Sequence, residues 1–194
     1  MKSILLTLSI LFAIHSNSSA QKIPQDDMIP MFHHYAQKNW DSLYIVTSNI
    51  LKKYPDDTTN FKSNINYAFF IAAAGKTATH RMSYPELREA LKPFLGRSFL
   101  TPVHATTIDK KLNQTGVTLI SRDKSGSKAT TLIRTADEKT VLCIEEFILK
   151  KNVTPSTFKP KYIRCGGKLF SIEINSKMDN TWIIHLVFTD SYYL

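Results

Sequence analysis

The chain holds two thiols, Cys143 and Cys165. Such a pair can close a disulfide, stay as two buried thiols, or supply a nucleophile if a base lies beside one of them. Strand pairing favours the disulfide. If 140–149 and 161–165 run antiparallel around the loop 150–160, the cysteines fall within one register step of facing each other. Facing residues stand about 4.5 to 5.5 Å apart, within the span a disulfide accepts.

Other catalytic signatures are thin. Ala74-Gly-Lys-Thr77 has the ending of a phosphate-binding loop, but Phe70 stands where that motif needs its first glycine, and the backbone is then less able to wrap a phosphate. Five histidines follow residue 20: His33, His34, His80, His104 and His185. Adjacent residues such as His33 and His34 do not share a helix face, and two cysteines fall short of a four-thiolate zinc site. No metal and no cofactor is expected. Ser125-Gly-Ser127 sits in a turn with no marked base and without the G-x-S-x-G pattern. Glu145 and Glu146 point to opposite faces of a strand, so they make no ready carboxylate pair. No catalytic residue is assigned.

The densest charge lies between 150 and 168. Lys150, Lys151, Lys159, Lys161, Arg164 and Lys168 occur there without an acid, and Phe158 and Tyr162 lie among them. Combined with a formal charge of +9 over the chain, this predicts an anion-binding face for a glycan, a lipid head group or an acidic protein. The structural alternative is a solvated hairpin whose lysines protect a strand edge. No nucleic-acid-binding module accompanies the basic residues, so nucleic acid is not an expected partner.

These side chains need elements to hold them. Residues 1–20 read as a secretory signal: Lys2, an apolar run from Ile4 to Ile14, then Ser18 and Ala20 before a junction at Gln21. The run is too short to cross a bilayer, which takes about 20 residues, and no second long apolar stretch follows. Residues 21–96 show helical spacing. Helices are predicted over Met28 to Lys38, with Pro30 in the first turn, and over Asp41 to Tyr54, capped by Asn39 and stopped by Pro55. Two more are predicted over Phe61 to Gly75 and from the capping box Ser83-Tyr-Pro-Glu86 toward Gly96. Residues 97–194 alternate with a period of two. Strands are predicted at 103–108, 117–122, 128–135, 140–149, 161–165, 168–175 and 181–189, with Gly166-Gly167 as a two-residue hairpin turn and Phe170, Ile172 and Ile174 on one buried face.

Trp40-Asp-Ser-Leu43, Lys52-Lys-Tyr-Pro55, Asn66-Tyr-Ala68 and Glu86-Leu-Arg-Glu-Ala90-Leu give residues 28–95 a resemblance to tetratricopeptide-like helical hairpins. That resemblance implies peptide binding rather than catalysis.

The sequence therefore predicts an α+β protein in which N-terminal helical hairpins pack on a C-terminal antiparallel sheet, a meander, as one compact unit. The expected role is an exported, soluble, non-catalytic binding protein of the cell envelope, periplasmic or extracellular, with no transmembrane segment once the signal is cleaved. Its expected partner is a protein or an anionic envelope component. The alternative is a small secreted hydrolase or transferase in which folding gathers His185, His104 or a cysteine with a carboxylate. The sequons at Asn113 and Asn152 matter only in a host that glycosylates exports.

Overall fold

The computed structural model describes residues 22–55, 57, 59–108, 117–120, 127–135, 139–153, 158–177 and 181–194. The predicted signal, the sequon at Asn113, and the turn residues 123–126, 136–138 and 178–180 lie outside the described residues.

The helices are α1 (Gln25–Ala36), α2 (Trp40–Lys53), α3 (Asn60–Ala78) and α4 (Tyr84–Leu91), the last continued by a 3-10 turn at Lys92–Phe94. Their ends follow local chemistry. The Asn39 side chain accepts the Ser42 N–H at the start of α2, and Ser83 with Glu86 closes a complete capping box on α4. At the end of α2 the buried Lys62 ammonium donates to the carbonyls of Tyr54 and Pro55 at 2.6 and 2.7 Å, satisfying groups that a helix terminus leaves open. Helix α1 begins three residues earlier than its spacing predicts, so Pro30 lies past the first turn.

Helix α3 is buried along most of its length, from Ile65 to Gly75 without a break. Ile65, Ala68 and Ala72 pack against α1 and α2, while Tyr67, Phe70, Ile71 and Ala74 belong to the cluster shared with the strands. Gly75 explains itself here. A Cβ at that position would fall inside the Trp40 ring, so the residue that gives 74–77 its phosphate-loop appearance exists to let α2 close on α3.

Eight strands follow among the described residues: β1 (Ser98–Leu100), β2 (His104–Ile108), β3 (Val117–Ile120), β4 (Lys128–Arg134), β5 (Val141–Leu149), β6 (Tyr162–Ile163), β7 (Cys165–Ile174) and β8 (Trp182–Tyr193). Helices in one half and strands in the other make this an α+β fold, as predicted. The sheet, however, is mixed rather than an antiparallel meander. Its order is β1-β7-β8-β5-β4-β3-β2-β6, with β5 parallel to β8 and β2 parallel to β3. Strand β7 does run antiparallel to β8, but β8 has entered between β5 and β7 instead of joining the edge. It is enclosed on both sides near its start: Ile184, Leu186 and Phe188 are fully buried on one face, and Ile183 is buried on the other.

The row of strands returns on itself. Ser98 to Leu100 pair with Lys168 to Gly166, and His104 and Ala105 pair with Ile163 and Tyr162. The Thr101 N–H donates to the Cys165 carbonyl between these two segments, and the Thr106 N–H donates to that of Lys161. So β1 and β2 form one lane against a second lane made by β6 and β7, with a one-residue register shift near Arg164. Because β2 also pairs with β3, and β7 with β8, the hydrogen-bonded lanes close a ring.

This topology overturns three sequence expectations. Cys143 and Cys165 are free and buried, not disulfide-bonded. β8 separates their strands by two lanes, about 9 to 10 Å at ordinary strand spacing, beyond the Cα separation a disulfide tolerates. Register adds to the gap, since Cys143 is level with Ile184 but Cys165 with Tyr193. Gly166 and Gly167 form no turn; they lie inside the ladder, where β8 presses close. A Cβ on Gly166 would stand 2.5 Å from Tyr192 Cζ, and one on Gly167 would stand 2.5 Å from Ser191 Oγ. Finally, the register shift between Leu169 and Ser171 turns Leu169 inward and Phe170 outward, leaving Phe170 68% exposed.

Two outcomes are expected. Gly75→Ala will destabilise the fold by about 1 to 3 kcal/mol through overpacking, read as a lower urea midpoint, with partial recovery when Trp40→Leu is added. Thiol titration without reductant will find both cysteines reactive in denaturant and neither in the native protein; a single disulfide would leave no thiol in either state.

Candidate functional site

The six basic residues do not act alike. Lys151, Lys159, Lys161 and Lys168 are exposed, and none has a carboxylate partner among the described residues. The Lys150 ammonium pairs with Asp190 at 3.2 Å. Lys168 lies opposite Thr189, next to Asp190, which places it near that pair on the outside of the β7–β8 ladder. Aromatic rings accompany these charges: Tyr162 and Phe170 are exposed on the same lane, and Tyr192 covers Gly166. Lys168 thus shares the outer surface of the β6–β7 lane with the exposed rings of Tyr162 and Phe170, while Lys159 and Lys161 lie in the segment just before β6.

Arg164 behaves differently. It is half-buried, and its guanidinium donates through Nε to the Thr101 carbonyl at 2.9 Å and through Nη2 to Asn64 Oδ1 at 2.6 Å. The register shift between the two lanes is where this side chain sits. Its neighbours come from α3 and the β1–β2 link.

The histidines and cysteines do not assemble. His33 and His34 are on α1 and His80 follows α3. His185 stands outside the sheet, with Nδ1 3.7 Å from Glu173 Oε2 and the Trp182 ring beside it. His104 is on β2, where burial holds its pKa below the usual value. Burial also pushes the Cys143 thiol well above its ordinary pKa and that of Cys165 up to about 12, with the nearby Glu145 charge adding to both. Neither sulfur is a ready thiolate nucleophile. Among the described residues no group of three or more His, Cys, Asp or Glu could hold a metal ion, and no helix is long and apolar enough to cross a membrane.

The structure reveals a polar cluster that sequence reasoning missed. On β5 the inward side chains are Val141, Cys143, Glu145, Phe147 and Leu149, and Glu145 is fully buried among them. The Thr131 hydroxyl, facing it from β4, donates to Glu145 Oε2. Tyr67 from α3 and Tyr35 from α1 complete the surroundings. Burial raises the Glu145 pKa to about 7, against opposing contributions from Thr131, Tyr67 and Cys143. Tyr67 lies near enough to favour the ionised carboxylate, yet among the described residues neither its hydroxyl nor Glu145 Oε1 closes a hydrogen bond. Enclosure denies this acid contact with a substrate, so what it can do is hold a proton inside the core. The signal was present in the sequence as one acid interrupting four apolar residues at alternate positions.

Tyr35 and Tyr67 also line a cavity of about 130 Å³. Met31 and Phe32 of α1 line it from one side, and Leu100 and Pro102 line it from the other, with Arg164 and Asn64 at its edge. Its walls are almost wholly apolar.

An α+β chain with a closed mixed ring, a cationic aromatic surface, a buried acid and an apolar cavity is what the fold and its sites define. No family model, no curated protein and no solved structure matches this chain.

The buried acid generates a pH prediction. Its folded pKa of about 7 lies above the ordinary value of 4.5, so unfolding releases a proton between those limits and stability falls as pH rises through that window. The full penalty above pH 7 is roughly 3 kcal/mol. Glu145→Gln is expected to remove that slope: the gap between variant and native protein in urea unfolding will shift in the variant's favour by up to that amount from pH 4.5 to 8. A constant gap over the whole range would refute a raised Glu145 pKa.

Proposed function

We propose that this is an exported, non-catalytic binding protein of the cell envelope that recognises an anionic component, a glycan, a lipid head group or an acidic protein surface, through the outer face of β6, β7 and β8. The observation that carries this reading is the exposure of Lys159, Lys161 and Lys168 without carboxylate partners among the described residues, interleaved with the exposed rings of Tyr162 and Phe170. Unpaired cations provide attraction, and rings that would otherwise cost free energy in water provide area to cover. The signal-like pattern of residues 1–20 supports an envelope setting, where such anions are abundant. The dispersal of His104, His185 and the two cysteines, and the enclosure of Glu145, support a binding role over a catalytic one.

Sedimentation with vesicles of phosphatidylglycerol or binding to a sulfated glycan tests this. Binding is expected at low salt, to weaken steeply from ~0.05 to ~0.5 M salt, and to fall about tenfold or more when Lys159, Lys161 and Lys168 are changed to Glu while circular dichroism is unchanged. Binding indifferent to salt or to the triple reversal overturns the reading.

A further inference from the structure

The cavity between α1, α3 and the β1–β2 link has no role in the outer lysine face. Two features bear on what it holds. The first is its size. About 130 Å³ is close to the roughly 150 Å³ apolar cavity that accommodates benzene in an engineered protein, so a single aromatic ring or a short branched alkyl group fits, and a long acyl chain does not. The second is the charge at its edge. Arg164 spends one N–H on Thr101 and one on Asn64, leaving three of the guanidinium's five donors without an acceptor among the described residues.

The two bonds that Arg164 does make fix the guanidinium plane. Thr101 and Asn64 hold it from the β1–β2 link and from α3, so its free donors are oriented before any ligand arrives, which reduces the ordering cost of binding. It has no carboxylate partner among the described residues. A half-buried guanidinium in this state attracts a planar anion with two acceptor atoms, and a carboxylate matches that fork.

We propose that this cavity is a binding site for a small aryl or branched-alkyl carboxylate, its apolar group seated among Met31, Phe32, Tyr67 and Leu100 and its carboxylate taken by the free N–H groups of Arg164. The size limit and the cation act together. Ligands lacking the charge lose the guanidinium, and ligands lacking the apolar group leave the cavity empty. The site does not depend on the lysine face, so either reading can fail without the other.

Phenylacetate, its neutral amide and acetate are the probes, titrated into the full chain with isothermal calorimetry and two-dimensional NMR. Phenylacetate is expected to bind and to shift resonances of Tyr67, Ala68 and Arg164. The amide is expected to bind about tenfold more weakly or worse, and acetate weaker still. Arg164→Gln should bring phenylacetate down to the level of the amide, whereas the Lys159, Lys161 and Lys168 reversal should leave it unchanged. A tripeptide ending in Phe with a free carboxylate separates sources: weaker binding than phenylacetate assigns the cavity to free small acids, and tighter binding overturns that in favour of a peptide terminus. Absence of binding by phenylacetate, equal binding of acid and amide, or shifts confined to the lysine face also overturn the proposal. Because the ligand series runs on the native protein, a misfolded Arg164 variant does not blunt the test.

Discussion

A helix buried without a break over about three turns has to be surrounded, and α3, from Ile65 to Gly75, imposes that requirement on everything else. Ile65, Ala68 and Ala72 need α1 and α2 against them, while Phe70, Ile71 and Ala74 need the strands. Small residues at 72–75 let the neighbours come close, to the point where Trp40 occupies the space a Gly75 side chain would take. Phe69, Phe70, Phe94, Phe99, Phe188 and Phe147 then form a chain of ring contacts from the helices into the sheet, each pair 4.5 to 6.5 Å apart. Burial of that area is the main favourable term, and no separate core for the strand half is needed.

Local chemistry was legible in the sequence, and adjacency was not. Asn39, Pro55 and the Ser83 capping box mark helix ends because their effects extend over only a few residues. Alternation from 140 to 149 marks β5 for the same reason. Which strand lies beside β5 depends on where β8 ends up, and nothing within β5 encodes it. The antiparallel direction of 161–165 relative to β5 holds, but the reversal expected at Gly166-Gly167 does not occur, and the cysteine pairing fails because β8 lies between the two strands. Gly166 and Gly167 misled in a related way. A glycine pair signals either a turn or a close approach, and only the partner strand decides which.

The candidate sites divide along the same line. Exposed lysines were legible because nothing else determines their environment. Arg164 shares their charge, yet Thr101 and Asn64, distant in sequence, give it a different setting. Strand alternation sets Glu145 and Glu146 on opposite faces, and the structure agrees: Glu146 lies toward the other face and pairs with Lys128. What the pattern alone did not weigh was that one of the two must then share its face with Cys143 and Phe147, away from water.

Closure of the lanes has a further consequence for how this molecule meets others. Each lane is bonded on both flanks somewhere along its length, so its main chain offers little template for an incoming extended peptide. Capture by strand addition, which borrows the affinity of unpaired amides, is therefore a poor route here. Recognition falls to side chains, and a surface that recognises through side chains can be retuned one substitution at a time without disturbing the ladder beneath.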